Sequence, residues 1–274
     1  MTVRSRRSSL AACGALAALV ALALAGVATR APAQSKPTKV TLKGRVVGGD
    51  SLLNPVWNEA KEPGSHRYTF REPSTTVAES ARRLTAYLPK ELCVAVLKPG
   101  PVPASGAPAP MHVSGGRTTP VTIVIPEGQK IQFINHDPFA HKLFDPGKGG
   151  LGPEEMPPNG QRAWQPPKAG VYELRDKSFP SVRSWIVVEP RVAAIGFPTL
   201  GGELTLRDLE PGSYELQAFF GGKAIGKALA IKIDEGPEIQ QLREPLVVGE
   251  AKGKGDAKDK DAKDKDAKDK GGKK

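Results

Sequence analysis

The segment FINHDPFAHKLFDPG, residues 133–147, runs from a hydrophobic strand pattern into a loop with two imidazoles and several polar acceptors. Asn135, His136, Asp137, His141 and Asp145 all fall within it. Imidazole and carboxylate together suit a borderline cation such as zinc or oxidised copper. His136 and His141 are five residues apart in a loop, so no regular element turns both to one side. Asn135 and Asp137 are also the residue types that bond loop backbone in Asx turns, and that loop-structuring role is the simpler reading. Other chemistry is thinly represented. No Ser/His/Asp set stands in a motif context. Lys148-Gly-Gly-Leu-Gly-Pro does not join a strand to a helix, so it reads as a flexible loop and not as a phosphate cradle. Glu154-Glu155 reads as an exposed acidic pair, and His66 and His112 as isolated and exposed. Met111 and Met156 stand beside prolines and form no methionine-rich run. No residue is assigned a catalytic role, and the reading is of a protein that is not an enzyme.

The elements around this loop are strands. KVTLKGRVV, CVAVLKPG, VTIVIPEG, QKIQFIN, GVYELRD, RSWIVVEP, GELTLRDL, SYELQAFF and KALAIKI each carry period-two apolar character. Pro, Gly, Asn or Asp punctuates them at short intervals, which argues for an all-β chain built of sandwiches. One helix is expected over 77–88, with Val77, Ala81, Leu84 and Leu88 along one face. PGPVPASGAPAP at 99–110 reads as an extended boundary. The strands at 39–47 and 92–100 have no obvious sheet of their own, and 191–234 is too short for a separate sandwich. Pairing of those early strands with the C-terminal ones would nest one β-module inside another. On the strand 183–190, Ile186 and Val188 alternate with Trp185 and Val187, so the Trp–Val side is expected to face outward and meet another domain or a ligand.

Both ends lie outside this pattern. A basic start (MTVRSRR), an apolar run from Leu10 to Val27 and the small-residue exit Ala31-Pro32-Ala33 read as an export signal over 1–33. The expected destination is the periplasm or cell envelope, with membrane attachment only if the signal stays uncleaved. Ser5-Arg6-Arg7 with Leu10 also resembles a twin-arginine signal, although Ser9 replaces the usual aromatic. Removal of Cys13 with the signal leaves Cys93 as the single cysteine, so no internal disulfide forms, and Cys93 reads as a buried strand residue. Residues 249–274 repeat DAKDK three times and contain no apolar residue larger than alanine, a composition expected to be disordered. From 250 onward, ten lysines stand against six aspartates and one glutamate. The formal charge of +11 is therefore carried in good part by the tail and by the four arginines of 1–33. No Arg/Lys stripe with interleaved aromatics appears, so nucleic acid is not an expected partner.

Two longer stretches carry a family resemblance. VTIVIPEGQKIQFINHDPFAHKLF and PPKAGVYELRDKSFPSVRSWIVVEP resemble the cupredoxins of the plastocyanin and azurin superfamily. The match comprises a strand, a Pro-x-Gly turn, a second strand, an Asn-x-Asp-x3-His loop, a Gly-x-Tyr strand and a closing Ile-x-Val strand. GELTLRDLEPGSYELQAFF resembles a prealbumin-like, or carboxypeptidase-regulatory-like, β unit. The combination looks like periplasmic proteins labelled methylamine-utilisation or plastocyanin-like. The resemblance implies a cupredoxin-like Greek-key β-sandwich over 111–190 and a second, prealbumin-like β-sandwich made from 191–248, with 38–100 pairing to it. It also implies where copper would be held. A blue-copper centre needs two imidazoles, a thiolate and a weak axial thioether. In the family register His141 is the first imidazole, Asp176 falls at the cysteine, Phe179 at the second histidine and Val182 at the methionine. The implied protein is a cupredoxin-like binding or scaffolding protein with a degenerate copper site and no cofactor, partnered by an envelope protein or a glycan. His141 and Asp176 would form a hydrogen-bonded pair at the old site. The alternative is a periplasmic copper- or zinc-binding or electron-transfer protein with a site rebuilt from His136, His141 and Asp176, with Asp145 nearby.

Overall fold

The computed structural model describes residues 39–54, 85–147 and 149–249. The expected export signal, His66, residues 77–84 of the expected helix and the repeat tail from 250 lie outside the described residues.

In chain order the elements are β1 (Val40–Val47), α1 (Leu88–Glu91), β2 (Leu92–Leu97), β3 (Ala109–Ser114), β4 (Arg117–Thr119), β5 (Thr122–Ile125) and β6 (Ile131–Asn135). Then come β7 (Leu143–Phe144), β8 (Gln161–Trp164), β9 (Gly170–Asp176), β10 (Arg183–Val188), β11 (Val192–Gly196) and β12 (Glu203–Leu209). The last are β13 (Gly212–Phe220), β14 (Lys223–Ile233), β15 (Ile239–Gln241) and β16 (Leu246–Val247). The described residues are all-β apart from short helical turns. The helix expected over 77–88 is not present at its described end. Thr85 makes an isolated antiparallel bridge to Leu53, and helix begins only at Leu88. Pro89 stands in the first turn of α1, where its missing N–H needs no partner.

The strands form two pairs of sheets. β4-β3-β6-β8 and β5-β10-β9-β7 enclose one core, containing Met111, Ile131, Phe133, Leu143, Leu174 and Ile186. β11-β2-β13-β14 and β12-β1-β15, with β16 also on β1, enclose another, containing Leu42, Leu92, Val94, Leu206 and Leu216. β1 pairs antiparallel with β12, and β2 lies between β11 and β13. Strands from before residue 100 and after residue 190 thus share sheets, and residues 109–188 build the other two.

A third cluster joins the two pairs: Cys93, Ala95, Leu97, Val124, Val187, Val192 and Phe219. β2 therefore buries both faces, with Leu92, Val94 and Val96 on one side and Cys93, Ala95 and Leu97 on the other. β5 does the same, with Ile123 and Ile125 in one core and Val124 in the joining cluster. This is why LCVAVL and TIVI are continuous apolar runs, whereas β6 and β12, covered on one side, alternate. The same layering bears out the expected side of Trp185 and Val187, which turn away from the core holding Ile186 and Val188, but that side is covered by the other pair of sheets and not exposed. Trp185 and Val187 are 8% and 6% exposed. Val187 packs in the joining cluster, and Trp185 lies under Gly222 at the β13–β14 turn, where an added Cβ would come within 2.7 Å of the indole. The 99–110 segment also runs close to the fold, since Val102 N donates to Pro190 O and Ser105 N to Gln129 Oε1.

Both Gly-x-Tyr strands carry the same device. Tyr172 Oη donates to Lys168 O at 2.7 Å and Tyr214 Oη to Glu210 O at 2.8 Å, each bonding backbone four residues upstream. A tyrosine corner of this kind lets the ring enter the core while its hydroxyl pins the incoming chain.

The joining cluster yields a test. Phe219→Ala should lower the free energy of unfolding in urea by about 3–5 kcal/mol, the usual cost of an aromatic cavity. A change below about 1 kcal/mol would mean that the two sheet pairs do not depend on this contact.

Candidate functional site

His141 sits where three loops meet at one end of the 109–188 sandwich. β6 ends at Asn135, and the chain loops through 136–142 before β7. β7 pairs with the end of β9, Leu143 opposite Asp176, which brings the last residue of β9 beside His141. Across the loop, His141 N and O bond to Met156 O and N at 3.0 and 2.7 Å.

Each polar residue here has several partners. Asn135 is fully buried, and its Nδ2 donates to Phe139 O, Met156 O and Pro157 O at 2.8, 3.2 and 2.9 Å. Its Oδ1 accepts from Asp137 N at 2.8 Å. The Asp137 carboxylate accepts Gly115 N at 2.6 Å and Gly116 N at 3.0 Å, the two residues of the β3–β4 turn. Both have φ near +60°, which is why that turn is built from a Gly-Gly pair. Asp176 Oδ1 accepts Ser178 N at 2.6 Å and Phe179 N at 3.0 Å, and Oδ2 accepts Lys142 N at 3.0 Å. One carboxylate therefore shapes the start of the 176–182 loop and holds the 136–142 loop against it.

The imidazole links these anchors. His141 Nδ1 lies 2.9 Å from Asp176 Oδ2, and Nε2 lies 3.0 Å from Asp137 Oδ2. The ring has no solvent exposure. Each ring nitrogen thus faces a carboxylate oxygen, and a nitrogen that bears a hydrogen donates to the oxygen it faces. Phe139 and Phe179 cover it, with ring centroids 5.2 and 5.0 Å from the imidazole and 4.5 Å from each other. Val182 is buried in the core below, and half-buried Phe179 packs against the same core. Burial pushes the Asp137 carboxyl up, but the Gly116 and Gly115 amides and the His141 ring together hold it below the ordinary carboxylate range.

The donor set does not suit a blue-copper centre. Asp176, Phe179 and Val182 carry a carboxylate, a phenyl ring and an isopropyl group, and none of these is a thiolate, imidazole or thioether. Both nitrogens of His141 already face carboxylates. Cys93, the free cysteine among the described residues, lies in the joining cluster, where burial pushes its thiol up to about 12.

The alternative metal set is not brought together. His136 is exposed, and its Nε2 lies 2.8 Å from His112 Nδ1, away from His141. Asp145 turns into its own loop, accepting Gly147 N at 3.2 Å and Gly149 N at 2.6 Å. Among the described residues no three His, Cys, Asp or Glu side chains converge to hold a metal ion. Two expectations need correction here. His112 is not isolated, because β3 and β6 are parallel neighbours and carry it to His136. The segment around 149–153 is tied down: Leu151 is buried, Trp164 Nε1 donates to Gly149 O, and Arg162 Nη1 donates to Gly152 O at 2.7 Å. The contact of Asp137 with the Gly115–Gly116 turn escaped the sequence reading, although the Gly-Gly pair in VSGGR marks a turn in need of a partner.

No protein-family model and no curated protein matches the chain. Part of it is similar to solved cupredoxins. Amicyanin from Paracoccus versutus shares 20% identity, with 35% of this chain and 97% of that one covered and a TM-score of 0.28. A reduced amicyanin mutant shares 16% identity over 35% of this chain and 99% of its own, with the same TM-score of 0.28. A purple cupredoxin from Nitrosopumilus maritimus shares 16% identity over 30% of this chain and 99% of its own, with a TM-score of 0.27.

Asp137 gives the site a pH dependence of known sign. Its folded carboxyl binds a proton less readily than the unfolded one, so its stabilisation is complete above the unfolded value of about 3.9. It is lost as pH falls from there through the lowered folded value. Asp137→Asn removes this contribution. The stability gap between wild type and Asp137→Asn, measured by urea unfolding, should be widest near neutral pH and narrow below about pH 4. A gap independent of pH would contradict the assignment.

Proposed function

We propose that this chain is an exported, non-enzymatic, cupredoxin-like binding or scaffolding protein of the cell envelope, whose former copper position holds a structural hydrogen-bonded group. The observation that carries the reading is the fully buried His141, with Nδ1 on Asp176 and Nε2 on Asp137. A ligand histidine presents a lone pair to its metal, and the nitrogen that would do so here faces a carboxylate. The Asp137–His141–Asp176 group ties the β3–β4 turn, the 136–142 loop and the start of the 176–182 loop into one end of the sandwich. The competing reading, copper or zinc at a rebuilt site of His136, His141 and Asp176, loses its donors because His136 pairs with His112 instead. The second, prealbumin-like sandwich adds a sheet-rich surface suited to an envelope protein or a glycan. Export and envelope location rest on the leader-like composition of 1–33.

Restoring the family's ligand types tests the reading. The triple change Asp176→Cys, Phe179→His and Val182→Met places thiolate, imidazole and thioether around His141. Addition of copper(II) should then give an intense visible thiolate-to-copper band that the wild type lacks. His141→Ala in the triple background should abolish it. A folded triple variant without the band, or a wild type that shows it, would overturn the proposal.

A further inference from the structure

His112 and His136 have no part in the buried group, and their arrangement is chemically specific. His112 lies on β3, half-buried, and His136 is the exposed residue that follows β6. The two strands are parallel neighbours, with His112 opposite Ile134 and Val113 opposite Asn135. His136 N donates to Val113 O at 2.8 Å, fixing the backbone just past the pairing. On its other side β3 pairs with β4, with His112 opposite Thr119. Both side chains therefore rise from anchored backbone. Their rings lie 5.1 Å apart at 25°, with His112 Nδ1 2.8 Å from His136 Nε2.

We propose that His112 and His136 form a two-imidazole surface site for a borderline divalent cation, copper(II) or zinc. Two imidazole nitrogens bound at about 2.0–2.1 Å to one ion, at angles between square and tetrahedral, lie roughly 2.8–3.4 Å apart. The facing nitrogens already stand at the short end of that range. In the metal-free pair one facing nitrogen carries a hydrogen and the other a lone pair. Moving each ring's hydrogen to its outer nitrogen, His112 Nε2 and His136 Nδ1, leaves both facing nitrogens with lone pairs. The rings now meet head-on, so each must turn by roughly 35–45° to aim both lone pairs at one outward point at the angles such ions adopt, and the exposure of His136 leaves the remaining positions to water. Neutral imidazole suits copper(II) and zinc, and the absence of a thiolate disfavours copper(I). The site is separate from His141, whose ring is fully buried beneath Phe139 and Phe179, and it holds whether or not the reading of that group is correct.

The test titrates the full chain with copper(II) chloride at neutral pH against a competing chelator, with electron paramagnetic resonance at one equivalent. The wild type should bind one ion with nitrogen hyperfine structure from two imidazoles. His112→Ala and His136→Ala should each weaken binding at least tenfold and reduce the signal to one imidazole. His136 is exposed, so its replacement leaves the fold intact and keeps the test decisive if His112→Ala misfolds. Absence of copper binding by the wild type, or an unchanged affinity and spectrum in His136→Ala, would overturn the proposal.

Discussion

One imidazole between two carboxylates organises one end of the 109–188 sheet pair. Asp137 and Asp176 are both buried and charged groups of the same sign, an arrangement that costs several kcal/mol per ion without compensation. Compensation is extensive here. Asp176 accepts three backbone amides and faces Nδ1 of His141, while Asp137 accepts two amides and faces Nε2. The ring is the one group that touches both. Such a group contributes less by net stability, since a buried ion pair roughly offsets its own desolvation, than by exclusion of other loop arrangements. Any loop conformation that withdraws His141 leaves the two carboxylates with backbone amides as their donors and without the ring.

The layers beneath supply the rigidity this arrangement needs. β9 and β7, which align Asp176 with His141, belong to the sheet whose other strands, β10 and β5, bury both faces. That sheet packs through Val124 and Val187 on Cys93, Ala95 and Phe219 of the neighbouring sandwich. The candidate site thus sits at the edge of a sheet that packs on a core on each face. The outer β3–β6 pair is different. His136 there is exposed and His112 half-buried, the two bonded to each other, whereas His141 is fully buried between two carboxylates.

Much of this was readable from residues. Period-two runs and turn residues marked an all-β chain, whereas the hydroxyl bonds of Tyr172 and Tyr214 to backbone four residues upstream appear only in the structure. The family resemblance, and not spacing by itself, implied a hydrogen-bonded pair of His141 and Asp176, and the two lie 2.9 Å apart. What escaped the reading depended on strand pairing. Alternation on β10 says that Trp185 and Val187 share a side, but not that a second sandwich covers it. His112 and His136 are far apart in sequence, and only the parallel β3–β6 register joins them. The second carboxylate on His141 was hidden similarly, because Asp137 looked like a self-contained Asx turn until the Gly115–Gly116 turn from another hairpin was placed above it.

The most direct test of the account is the coupling between His141 and Asp176. A double-mutant cycle with His141→Ala, Asp176→Asn and the double variant, followed by urea unfolding at neutral pH, isolates their mutual term from the separate costs of each change. If the ring holds the loops through this carboxylate, the coupling free energy should be about 2–3 kcal/mol and favourable. A coupling within about 0.5 kcal/mol of zero would mean that the two residues stabilise the fold independently, and the proposed structural group would not exist.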